Sequence, residues 1–199
     1  MASNQVEKKI VAITGGIGSG KSTLLEILKK KGYFVISSDQ IVKDIYKKRW
    51  FLREIKKLFP NAVKGFLCLR ADKKVIADEV FRNSEKRQKL NLLVHPTVMR
   101  EGLKQLRNNG KELSFMEVPL LFEGGYENQF DKVIVVNRGL EERIESVKFR
   151  SGLTREEILE RINAQIDYET TDFSKYILIK NDKSKDELSL EIERILETL

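Results

Sequence analysis

Residues 15–23 read Gly15-Gly16-Ile17-Gly18-Ser19-Gly20-Lys21-Ser22-Thr23, directly behind the apolar run KIVAIT at Lys9–Thr14. This is the pattern G-x-x-x-x-G-K-[ST], set between a strand-like segment and a helix-like one. Glycines in such a loop let successive backbone N–H groups turn toward one anion with no Cβ in the way. The helix start behind them adds unpaired donors and the positive end of its dipole. Gly16, Ile17, Gly18, Ser19, Gly20, Lys21, Ser22 and Thr23 are therefore the candidate nucleotide contacts. Lys21 is placed to reach the β- and γ-phosphates, and the Ser22 hydroxyl to hold a Mg²⁺ that bridges them. The plainer reading is a glycine-rich turn with an incidental lysine; it needs four specified positions to coincide, in roughly one chain in a hundred on average usage.

The rest of the chain alternates between the two periods. Leu24, Leu25, Ile27 and Leu28 share one side of a helix over Ser22–Lys31, with Gly32 just past its end. YFVIS at Tyr33–Ser37 reads as a second strand, and a helix opens at Gln40. Leu113–Val118, Lys132–Val136 and Tyr176–Ile179 are three further strand candidates, with helices over Glu141–Phe149, Arg155–Gln165 and Lys185–Leu196. Thr154 with Glu157, and Ser184 with Glu187, have the spacing of a capping box. Strands separated by helices pair in parallel through right-handed crossovers. The expected fold is α/β: a three-layer α/β/α phosphate-loop domain spanning the chain, with a five-stranded parallel sheet. The mostly helical stretch at about 49–109 is too long for a crossover and reads as an inserted subdomain. Its helices are expected to break at Pro60, around Lys64–Ala71, at Asn83-Ser84 and at His95-Pro96.

Composition removes several function classes. Among 199 residues there is one cysteine, Cys68, and one histidine, His95, so an internal disulfide, a multi-cysteine zinc site and a two-histidine metal motif are excluded. Cys68 is expected as a buried or half-buried thiol. No apolar run approaches the ~18 residues of a membrane helix. The opening MASNQVEKK carries no apolar core of a signal peptide, so a cytoplasmic protein with no membrane partner is expected. The 37 Lys and Arg against 30 Asp and Glu give +7, which suits a nucleic acid, an anionic surface or a polyphosphate ligand. The basic clusters at Lys29–Lys31 and Lys47–Arg49 are short and read as solvated helix ends, so no nucleic-acid partner is expected. Monomer or weak homo-oligomer is the expected state.

A GTPase needs Asn-Lys-x-Asp after a late strand; Lys180-Asn181-Asp182-Lys183 has the wrong order. A motor or transport ATPase presents an acid at the end of a second apolar strand. Lys132–Val136 ends in Asn137-Arg138, although Glu117 in the preceding strand leaves that exclusion incomplete. A small chain with a helical insertion and late arginines fits a small-molecule kinase better.

Several separated segments resemble dephospho-coenzyme A kinases. These are ITGGIGSGKST, Val94-His95-Pro96 behind leucines, and VPLLFE at Val118–Glu123. Arg150-Ser151-Gly152-Leu153-Thr154, Arg161-Ile162-Asn163-Ala164-Gln165 and Asn181 complete the ordered set. The resemblance implies ATP and dephospho-coenzyme A as substrates, Mg²⁺ as cofactor, and phosphorylation of the ribose 3′-hydroxyl to give coenzyme A. The insertion then binds the acceptor, and residues at about 141–165 form a short lid. A kinase for another nucleoside or nucleotide is the alternative.

The same resemblance implies individual roles. Lys21, Asp39 and Arg150 become the catalytic candidates, with Asp39 as base for the acceptor hydroxyl and Arg150 and Arg161 on the ATP phosphates. Asp39, His95, Pro119, Leu120, Leu121 and Glu123 become the acceptor contacts. Each has a plainer alternative. Asp39 would serve as N-cap of the next helix, the arginines would pair with Glu156 or Glu157, and Leu120 and Leu121 would be core. Two departures stand out. Ser37-Ser38-Asp39 replaces the family's Asp-Ala-Asp, and Ser146 replaces an arginine, with Arg143 one turn earlier as a stand-in.

Overall fold

A computed structural model describes residues 8–65, 68–182 and 184–199. The chain divides into two compact units: the chain up to Ile36 together with Leu106–Leu199, and Ser37–Gln105.

The first unit is built on a sheet whose three inner strands are largely buried. β1 (Lys9–Thr14) is buried from Ile10 to Thr14 and is the central strand. The sheet order is β2 (Phe34–Ser37), β5 (Leu113–Glu117), β1, β6 (Lys132–Asn137), β7 (Ile177–Lys180). β1 runs parallel to β5 with Ile13 opposite Glu117, and parallel to β6 with Thr14 opposite Val135; β6 runs parallel to β7. The chain therefore reverses its winding direction at β1, and the carboxyl end of such a strand is where open α/β sheets bind ligands. One face of the sheet packs on α1 (Lys21–Lys30) and α8 (Lys185–Leu196) through Leu24, Leu28, Leu188 and Ile192. α6 (Leu140–Ser151) and α7 (Arg155–Asn163) form a smaller cluster of their own around Ile144, Val147 and Ile158. Both expected capping boxes are formed, Thr154 with Glu157 and Ser184 with Glu187.

The second unit holds α2 (Ser38–Ile45), α3 (Arg49–Leu58), α4 (Lys73–Arg82) and most of α5 (Ser84–Asn108), which carries the chain back into the first unit. A two-stranded antiparallel pair, β3 (Val63–Lys64) and β4 (Arg70–Ala71), occupies the expected break there. Phe51 anchors this unit, with Tyr46 and Trp50 packed edge-on against it at 5.0 and 5.7 Å. Lys48 pairs with Glu101 across it. Residues 37–105 hold 17 Lys and Arg against 8 Asp and Glu, net +9, and the rest of the chain holds 20 against 22, net −2. The charge that looks interspersed along the sequence is thus concentrated in one unit.

Three local expectations are corrected. α5 does not break at His95-Pro96 but runs through it. Proline removes the bond to the carbonyl four residues back; here that carbonyl belongs to Leu92, which is 69% exposed, so water can take the place of the missing N–H. α7 ends at Asn163 rather than Gln165, and Ala164 is its C-cap. Cys68 is exposed, because it lies in the turn between β3 and β4 and not on a packed face.

Candidate active site

The phosphate loop joins β1 to α1, as its spacing requires. Gly20, with φ 94°, is the N-cap of α1; no side chain caps that helix and no acid sits in its first turn. Its leading amides therefore stay available for an anion. Lys21 is buried and folds back over the loop, donating from Nζ to the carbonyls of Gly15 (2.6 Å) and Gly16 (3.0 Å). Ser19 is 1% exposed, and its Oγ has no hydrogen-bond partner among the described residues. Ser22 is exposed and Thr23 half-buried in the same helical turn.

Several side chains hold this loop from the outside, and local pattern alone does not reveal them. The N–H of Ile17 donates to Gln165 Oε1 at 2.7 Å, and Arg143 Nε donates to the Ile17 carbonyl at 3.0 Å. Asn181 donates from Nδ2 to the Ser19 carbonyl at 2.8 Å. The Tyr168 hydroxyl lies 3.3 Å from Thr14 Oγ1, and the Tyr168 carbonyl accepts from Asn137 Nδ2 at 3.1 Å. Burial pushes the Tyr168 phenol up from its ordinary value. A methyl group on Gly16 would stand 2.5 Å from Arg143 Nη2, and one on Gly18 (φ 79°) would stand 2.5 Å from the Arg143 carbonyl. Those two glycines are therefore required by the packing of α6 as well as by phosphate approach. Gln165 and Asn181 lie in segments that the resemblance brings forward; nothing in the sequence marks Tyr168 or Asn137.

Arg150 lies in the last turn of α6 and Arg161 in the last turn of α7, both exposed. Neither pairs with Glu156 or Glu157 among the described residues: Glu157 belongs to the capping box, and it is Arg155 that ties α7 to α6, by a two-pronged contact to Glu141 at 2.7 and 2.6 Å. That pair holds the Glu141 carboxyl below its ordinary range. Behind β5, Leu121 is fully buried while Leu120 is 38% exposed, so the first belongs to the core and the second faces outward. Pro119 is half-buried beside them. Glu123 is exposed and accepts from the Ile166 N–H at 3.1 Å through Oε1.

In the second unit, Asp39 falls in the first turn of α2 but is not its cap. Ser37 caps the helix, accepting from the Gln40 N–H at 3.2 Å. The Asp39 carboxylate is exposed, with no hydrogen-bond or ion-pair partner among the described residues. His95 is half-buried on α5, and that burial lowers its imidazole pKa below the usual value. Among the described residues no group of three or more His, Cys, Asp or Glu side chains could hold a metal ion. The Ser22 hydroxyl in the first turn of α1, and Glu117, opposite Ile13 in the neighbouring strand, are hard oxygen donors at this end of the sheet. Such a sparse oxygen set fits Mg²⁺, which keeps several waters and binds mainly through substrate phosphates.

A family model described as dephospho-CoA kinase matches residues 9–187. A dephospho-CoA kinase from Thermus thermophilus is 37% identical over 190 residues, covering 96% of this chain and 91% of that protein. A crystal structure from the same organism superposes with a TM-score of 0.79 at 36% identity, covering 97% of this chain and 98% of the other. A dephospho-CoA kinase structure from Campylobacter jejuni gives 0.70 at 30% identity, covering 96% of both chains. No helix among the described residues is long and apolar enough to cross a membrane.

Proposed function

The chain belongs to the dephospho-CoA kinase family, and we propose that it transfers the γ-phosphoryl group of ATP to the ribose 3′-hydroxyl of dephospho-coenzyme A, giving coenzyme A and ADP. The observation that carries the ATP half is the uncapped, acid-free start of α1 behind the loop, with Lys21 folded over it. The acceptor half rests on the family and on the VPLLFE and His-Pro segments.

In this reading the loop amides from Gly18 onward, apart from that of Ser19, which donates to the Gly16 carbonyl, cradle the phosphates, and Lys21 neutralises charge between the β- and γ-positions. The Ser22 hydroxyl, with the phosphates, would hold Mg²⁺, which when bound would supply further charge neutralisation. The 3′-oxygen attacks phosphorus in line, the O3′–P bond forms, the bond to the ADP oxygen breaks, and the hydroxyl proton passes to Asp39. Asp39 can serve because Ser37 has taken over the helix cap, which leaves the carboxylate uncommitted. Arg150 and Arg161 bring guanidinium donors to the three equatorial oxygens of the transferring group. His95 contacts the acceptor as a neutral imidazole. Pro119 and Leu120 offer an apolar rest for its adenosine or pantetheine arm, and Glu123 keeps Oε2 for an acceptor hydroxyl. Closing the lid would exclude water that would otherwise take the phosphoryl group.

The test is ADP release from MgATP with and without dephospho-coenzyme A, with the product's mass measured. Acceptor-dependent ADP and a mass gain of one phosphate are expected. Equal turnover with adenosine or AMP would replace the acceptor assignment with a kinase of broader nucleoside range, and ADP release indifferent to any acceptor would overturn it.

A further inference from the structure

The Ile17 peptide is held on both sides by side chains 126 and 148 positions away in sequence. Gln165 accepts from its N–H at 2.7 Å, and Arg143 donates to its carbonyl at 3.0 Å. Arg143 is 2% exposed, and its guanidinium lies against Gly16, where a methyl group would stand 2.5 Å from Nη2. No carboxylate lies within ion-pair distance of it among the described residues; Glu169, Tyr168 and Asp167 act on it only at longer range. A buried cation without a paired anion is costly, and this one is spent at the back of a loop built to receive phosphates. Seven residues later the same helix carries the exposed Arg150 in its last turn.

We propose that Arg143 and Gln165 are positioning residues that clamp the Ile17 peptide, setting the curvature of the phosphate loop for the nucleotide and anchoring the base of the helix that carries Arg150. The inference rests on the ATP-binding reading above and adds two residues to it. With the Ile17 N–H committed to Gln165 and the Ser19 N–H to the Gly16 carbonyl, the phosphates are left to the other amides from Gly18 onward. With the carbonyl committed to Arg143, that oxygen is kept from turning toward the anion, where its partial negative charge would repel it. Arg143 also adds a fixed positive charge beside Gly16.

The test uses Arg143→Met, Arg143→Lys and Gln165→Leu in the full chain, with ADP affinity by calorimetry, KM for ATP and for dephospho-coenzyme A, and thermal melting. Arg143→Met and Gln165→Leu are expected to weaken ADP binding and raise KM for ATP by about tenfold, as befits loss of a charge-assisted or buried hydrogen bond. KM for dephospho-coenzyme A should stay within about twofold on the same reasoning, because the clamp does not face the acceptor. Arg143→Lys should recover part of the loss, since it restores charge without the planar Nε donor. Variants that melt earlier yet bind ADP as the parent does, well below their melting temperature, would overturn the clamp. If Arg143→Met does not fold, Gln165→Leu decides alone, with unchanged ADP affinity counting against the proposal. A parent protein that binds ADP but shows no acceptor-dependent turnover would overturn the kinase reading and leave this comparison intact.

Discussion

Asn181 donates from Nδ2 to the carbonyl of Ser19 at 2.8 Å, so the residue after the last strand of the sheet supports the loop after the first. The acceptor is a carbonyl, which identifies the donating end of the side chain as its NH₂ group. Asn181→Asp removes that donor and sets a carboxylate oxygen against the Ser19 carbonyl, behind a loop meant for anions. KM for ATP is expected to rise by about 10- to 100-fold, with Asn181→Ala nearer the lower figure. Steady-state kinetics at saturating acceptor read this directly, and an Asp variant with the parent's KM would remove Asn181 from the nucleotide site.

Lys21 and Asp39 are expected to fail in different ways. Lys21→Ala removes charge neutralisation at the transferring phosphate and should lower kcat by about three orders of magnitude or more. Asp39→Asn keeps the size and exposure of the side chain but cannot take a proton, so kcat should fall by about 10²- to 10⁴-fold with ADP affinity unchanged. An Asp39→Asn enzyme with nearly normal kcat would sink the base assignment.

His95 is the protein's only histidine, so one imidazole resonance reports on it without assignment. Burial lowers its pKa below the ordinary 6.5. The folded protein therefore favours the neutral ring. The stability this adds is complete above about pH 6.5 and is lost as pH falls through the folded value. An NMR titration should give a midpoint below 6.5 that moves up to the ordinary value in denaturant; a folded midpoint at or above 6.5 would show that His95 is solvated or paired with an acid.

The net +9 of residues 37–105 predicts electrostatic capture of the acceptor, whose diphosphate is anionic. KM for dephospho-coenzyme A should rise several-fold between about 20 and about 300 mM KCl, where the screening length drops from roughly 20 Å to below 8 Å. An acceptor KM that ignores salt across that range would confine the role of this charge to solubility.

What could be read from the sequence is what neighbouring residues decide among themselves. The loop of residues 15–23, its strand and its helix, and the capping boxes at Thr154 and Ser184 all involve groups within a few positions of one another. The parallel order of the sheet follows from strands separated by helices. Tertiary structure decided the rest. Pro96 does not break α5, and Leu92, the residue four back whose carbonyl loses a helical N–H to it, is largely exposed. Sequence distance hides solvent exposure of that kind. Cys68 is exposed in the segment between β3 and β4. The environment of the phosphate loop is the clearest case: Arg143, Gln165 and Asn181 meet Ile17 and Ser19 across 126, 148 and 162 positions. Only the closing of the sheet brings those side chains to the loop, and their hydrogen bonds have a range of about 3 Å whatever the length of chain between them.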